Sequence, residues 1–88
     1  MGQHSDARLY LFLRAVLKII EGDPHLSVEE LAVIRASLKH RNELGRFEGD
    51  GVLNLQKLKH HYLWTLNFDP DDIKKLVLSL GRESTTNG

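Results

Sequence analysis

The stretch Leu9-Tyr10-Leu11-Phe12-Leu13-Arg14-Ala15-Val16-Leu17-Lys18-Ile19-Ile20 decides the fold. Its apolar side chains recur at steps of three and four, the spacing that stacks residues along one side of an α-helix. At about 3.6 residues per turn, Leu9, Phe12, Leu13, Val16, Leu17, Ile19 and Ile20, with Tyr10, sweep an arc of roughly 180°, wider than an ordinary surface stripe. Such a helix needs cover from more than one partner. Arg8, Arg14, Lys18 and Glu21 occupy the side that remains. The sequence therefore predicts a central rod from Asp6 to Glu21, with Ser5 as its cap and Gly22 as its left-handed stop.

Downstream, Ser27 and Glu30 stand three apart as a capping box, and Leu26 and Leu31 sit where a hydrophobic staple would close over it. This predicts a second helix from Val28, with Leu31, Ile34 and Leu38 inward, Val33 and Leu44 beside them, and Gly45 as its stop. Gly49, Asp50 and Gly51, within Arg46 to Leu53, mark a turn, and only Val52 and Leu53 are expected to be briefly extended. Asn54 caps a third helix whose Leu55, Leu58, Tyr62 and Leu66 line one face, while Lys57, His60, His61 and Trp64 line another. For the fourth helix Asp69 caps, Pro70 takes the first turn, Asp72 holds the third position and Phe68 can staple to Ile73. Ile73, Leu76, Val77 and Leu80 then point inward, Gly81 ends the helix, and Arg82 to Gly88 reads as a disordered tail. The expected fold is all-α: a compact four-helix single domain over residues 1–81, with short loops and the first helix central.

A chain of 88 residues supports one core. Its twelve basic and twelve acidic side chains cancel, so the molecule as a whole offers no steering toward nucleic acid or an anionic membrane. The absence of cysteine excludes disulfides, thiolate metal sites and cysteine nucleophiles, and fits a reducing compartment. The apolar run at Leu9 to Ile20 is broken by Arg14 and Lys18 and is shorter than the roughly 20 residues that span a bilayer. With no small-residue cleavage site after a charged start, the chain reads as soluble, unprocessed and cytoplasmic.

Catalytic and metal signatures are weak throughout. The second half of a calcium-binding EF-hand loop resembles Glu48 to Leu53, with Gly51 at the sharp turn. That register puts Arg46 at the first ligand position and Lys57 where a bidentate glutamate belongs, so cations would face a cation. His60 and His61 are adjacent and diverge by about 100° on a helix, with no third ligand at a supporting spacing. Ser27, Ser37 and Ser79 lack a patterned histidine and acid, and Asp69, Asp71 and Asp72 suit a helix N-terminus. No enzyme activity, cofactor or metal is expected.

Surface chemistry is more suggestive. Trp64 follows Lys57 by seven residues, His60 by four and His61 by three, on the side opposite Leu55, Leu58 and Tyr62. A tryptophan there either anchors a partner, burying a large area at low entropic cost, or is covered by the fourth helix or the end of the first. Leu11 and Leu78 also fall on the mostly polar sides of their helices, so both join Trp64 as candidate partner contacts. Between Arg35 and His61, Arg35, Lys39, Arg41, Arg46, Lys57 and Lys59 stand against Glu43, Glu48 and Asp50, a mild basic excess in which Arg35, Lys39, Arg41, Lys57 and Lys59 could contact phosphates if the second and third helices share a face. The third and fourth helices are linked closely enough for a helix-turn-helix, yet the second of the pair would present Asp69, Asp71 and Asp72 first to the groove, which repels phosphate.

Leu26-Ser27, Glu30-Leu31-Ala32-Val33 and His40-Arg41 resemble the middle of the Hha/YmoA family of small, all-helical bacterial expression modulators. That resemblance implies a cytoplasmic protein that docks onto an H-NS-like nucleoid protein, with Arg41 as a contact. The function expected is therefore a non-enzymatic regulatory module that binds a protein partner, or a second copy of itself, through an exposed helix face. The alternative is direct nucleic-acid binding by the basic residues of the second and third helices.

Overall fold

The computed structural model describes residues 2–86, with side chains from 6 to 81. Among them the helices are α1 (Gly2–Ile20), α2 (Val28–His40), α3 (Leu44–Phe47), α4 (Leu55–His60) and α5 (Pro70–Thr86). A small hairpin of β1 (Glu48–Gly49) and β2 (Val52–Leu53) precedes α4, and a π-helical turn, His61–Thr65, continues it. The chain is all-α apart from the hairpin, and the first helix is the central rod: α2, α4 and α5 all pack on it. Ala15 and Val16 are fully buried, and Leu13, Ile19 and Ile20 nearly so. No helix among the described residues is long and apolar enough to cross a membrane.

The start of α1 lies upstream of the expected Ser5 cap. Its end is as expected: Gly22 adopts φ 79°, and Gly22 N donates to Ile19 O at 3.1 Å while Asp23 N donates to Lys18 O at 2.8 Å. This paired bonding closes the last turn, and glycine enters the left-handed region without a Cβ penalty. Asp23 Oδ1 then accepts from His25 N at 2.9 Å, a bond that holds its carboxyl below the usual range.

The capping box forms: Ser27 Oγ accepts from Glu30 N at 3.1 Å, and Glu30 Oε1 accepts from Ser27 N at 2.8 Å. The sequence does not reveal that Glu30 is 2% exposed. Two of the charged side chains assigned to the open side of α1 turn onto it, Lys18 Nζ at 2.8 Å from Oε1 and Arg14 Nε at 3.5 Å from Oε2. Lys18 Nζ also donates to His25 O at 3.0 Å, so one ammonium ties α1, the connecting loop and α2 together. Burial alone would raise the Glu30 pKa, but the Lys18 and Ser27 hydrogen bonds and the Lys18 charge together hold it below the usual value.

The second helix stops earlier than Gly45. Asn42 takes φ 58°, with Asn42 N donating to Lys39 O at 3.0 Å and Glu43 N to Leu38 O at 2.8 Å. Asparagine tolerates the left-handed conformation better than most residues, so it served as the stop and left Leu44 to start α3. Asp50 (φ 55°) and Gly51 (φ 77°) make the two-residue turn that matches strand twist, pairing Glu48 with Leu53 and Gly49 with Val52. Arg35 pins this hairpin to α2 by donating to Glu48 Oε2 at 2.7 Å and to Gly51 O at 3.2 Å.

Asn54 caps α4, its Oδ1 accepting from Lys57 N at 3.0 Å. At His61 the helix widens: Leu66 N reaches back five residues to His61 O at 2.9 Å, and Phe68 N reaches Tyr62 O at 2.8 Å across Asn67 at φ 56°. Asp69 caps α5 as expected, with its Oδ1 accepting from Asp71 N at 2.9 Å. The expected stop at Gly81 is overturned, since α5 runs on to Thr86. A Cβ on Gly81 would stand 3.2 Å from the Tyr10 ring, so this glycine lets α5 approach α1 closely instead of ending the helix. Leu76, expected inward, is exposed at the margin of a stripe that Ile73, Val77 and Leu80 fill.

An aromatic group closes the core. The buried Tyr62 ring stacks on Phe68 at 5.7 Å and meets the Phe12 edge at 6.3 Å. Its hydroxyl is buried with no hydrogen-bond partner among the described residues, and burial pushes the phenol pKa up.

Candidate functional site

The alternation that sends Leu55, Leu58 and Tyr62 into the core sends Lys57, His60 and Trp64 to the opposite side of α4 and its π turn. Trp64 is 71% exposed, so among the described residues neither α5 nor the end of α1 covers it. Beside it runs an open groove of about 910 Å³. Lys57 and His60 of α4 line it with His61 and Trp64 of the π turn, and Arg46 and Phe47 of α3 join them.

His61 departs from the expectation that it faces outward with its neighbours. It is half-buried, with its ring 4.9 Å from that of Phe47 and 5.5 Å from that of Tyr62. The groove therefore rests on the aromatic core and has a firm base. The Arg46 guanidinium stands 5.9 Å from the Phe47 centroid, and its Nη1 is 3.6 Å from Oε2 of the half-buried Glu43, a loose pair whose arginine is largely exposed. Among the described residues no carboxylate lines the groove; its polar lining is Arg46, Lys57, two imidazoles, the amides Asn54 and Gln56, and Thr65.

The remaining candidates disperse. Leu78 is 59% exposed but does not line the Trp64 groove, and Leu11 is half-buried, so it is no open apolar patch. Arg35 is committed to Glu48 and faces a separate depression with Leu31 and Val52. Arg41 borders a third groove, about 650 Å³, between the start of α1 and the end of α2, with Arg8, Leu9, Phe12 and His40. Lys39 is exposed and Lys59 half-buried, and neither lines the Trp64 groove. The second and third predicted helices thus do not gather Arg35, Lys39, Arg41, Lys57 and Lys59 on a common groove.

Sequence reasoning missed Phe47, and it counted Arg46 in the mild basic excess and in the turn but not as a neighbour of Trp64. Only the α3 turn swings both against α4, and no local spacing announces that contact. Ser27 Oγ is occupied as a cap, and among the described residues no group of three or more histidine, aspartate or glutamate side chains could hold a metal ion. No protein-family model, no curated protein and no solved structure matches the chain.

Proposed function

We propose that this chain is a small non-enzymatic interaction module, regulatory in role, that binds a protein partner through the Trp64 face of α4 and its π turn. The observation that carries this reading is the 71% exposure of Trp64 at the edge of a groove whose aromatic floor is anchored in the core. An exposed tryptophan on a rigid support loses little entropy when covered, which is why such residues dominate interface energetics. The π turn supports it further, because single π turns cost helix geometry and concentrate at functional sites. Direct nucleic-acid binding is the weaker reading, since the cations it relies on are split among separate grooves or paired with acids.

The test is affinity capture from the native host with the wild-type chain and Trp64→Ala in parallel, both checked by circular dichroism. Stoichiometric retention of one protein by the wild type, lost in a fully helical Trp64→Ala, supports the reading. Recovery of nucleic acid in place of protein, or equal capture by both forms, overturns it. If the Hha/YmoA resemblance holds, the captured protein is of the nucleoid-associated class and Arg41→Ala weakens its capture.

A further inference from the structure

Resting on the proposed protein-binding role of the Trp64 face, we infer that the groove takes an acidic peptide segment, with carboxylates meeting Arg46 and Lys57 and an apolar side chain laid on Trp64. Charge distribution carries this step. The chain is neutral overall, yet among the described residues the groove lining contains Arg46, Lys57, His60 and His61 and no carboxylate. Glu30 is engaged with Lys18, Glu48 with Arg35, and Asp69 as the cap of α5, which leaves Glu43, 3.6 Å from Arg46, as the acid beside the groove. Complementary charge of this kind selects a partner and steers its approach.

Arg46 is available for such a contact, because its exposed side chain is held loosely, by the 3.6 Å pair with Glu43 and by its place 5.9 Å from the Phe47 ring centroid. Its planar fork suits bidentate carboxylate recognition, while Lys57 supplies a point charge from α4. Asn54 and Gln56 add side-chain amides able to bond an extended peptide backbone. A nucleic acid would share the negative charge but needs a track of several phosphate contacts. Arg35 and Arg41, which would extend one, lie in other depressions. A short peptide needs only the cations that are present.

Trp64 is the sole tryptophan, so its emission reports directly on the groove. The full chain is titrated with a tryptophan-free Asp/Glu-rich peptide carrying one phenylalanine, the same peptide with Asn/Gln in place of the acids, and a short oligothymidylate. The expected result is a saturable emission change with the acidic peptide alone, weakened about tenfold by raising salt from about 0.1 to 0.5 M. Arg46→Glu and Lys57→Glu each weaken it about tenfold or more, whereas Lys39→Glu, an equal charge change outside the groove, leaves it unaltered. Arg46→Gln and Lys57→Gln, with a severalfold loss expected, replace any glutamate variant whose helicity falls. Equal binding of the neutral peptide overturns the acidic chemistry and leaves the protein-binding reading intact. Binding of oligothymidylate without either peptide overturns both, and no response to any probe overturns the acidic segment while lysate capture still decides the broader role.

Discussion

Lys18 Nζ stands 2.8 Å from Oε1 of Glu30, joining the central helix to the first turn of α2 through a carboxylate that is almost wholly out of solvent. Removing one partner leaves the other charge buried without its main compensation. Lys18→Met should therefore cost about 2–3 kcal/mol in urea unfolding, below the usual range for a fully buried pair because Lys18 keeps some solvent contact. Arg14→Ala should cost under about 1 kcal/mol, its side chain being half exposed and 3.5 Å away.

The same carboxylate gives stability a defined acid limb. Its folded pKa lies below the ordinary glutamate value, so its contribution is fully present above that value and disappears as pH falls through the folded one. Glu30→Gln should flatten this part of the stability curve below pH 4.5 and lower stability at pH 7. An unchanged acid slope in the mutant would show that other carboxylates set it.

In the hairpin, Gly51 (φ 77°) and Gly49 differ in backbone demand although a Cβ meets nothing within 4 Å at either. Gly51→Ala should cost about 1 kcal/mol from the left-handed conformation alone, while Gly49→Ala should be within about 0.5 kcal/mol of neutral. Comparing the two melting temperatures checks the turn.

Gly81 and Tyr10 form a coupled pair. In the wild-type background, Gly81→Ala gains helix propensity but must displace the ring at 3.2 Å. In a Tyr10→Ala background only the gain remains, so Gly81→Ala should there stabilise by about 0.5–1 kcal/mol. Equal effects in both backgrounds would dissolve the proposed contact.

Tyr62→Phe keeps the ring that stacks on Phe68 and meets Phe12 edge-to-face, and deletes a hydroxyl with no hydrogen-bond partner among the described residues. The substitution should be neutral or stabilising by up to about 1 kcal/mol in thermal unfolding, since an unsatisfied buried hydroxyl is a net burden. A loss above about 1 kcal/mol would mean the hydroxyl is bonded in solution.

Much of the architecture was legible because it is local. The capping box at Ser27, the caps at Asn54 and Asp69 and the apolar arc of α1 are set by residues within a turn or two of one another. What escaped depended on contacts distant in the chain. Glu30 displays the signature of a cap whether or not Lys18 buries it, and Gly81 resembles a stop until Tyr10 is seen beside it. The site divides the same way: Lys57, His60 and Trp64 follow from helical spacing, whereas Arg46 and Phe47 join them only through the stop at Asn42 that creates α3.

The π turn has a consequence for tolerance to changes in chain length. A segment that already accommodates five residues in one loop of hydrogen bonding can lose one and close as a regular α-turn. Shortening His61–Thr65 by one position would therefore leave the turns before and after it close to their present register, because the wider turn is what absorbs the additional residue. The same deletion in the regular part of α4 would swing all that follows by about 100°, so this turn is where the chain tolerates a lost residue with the indole still near its groove.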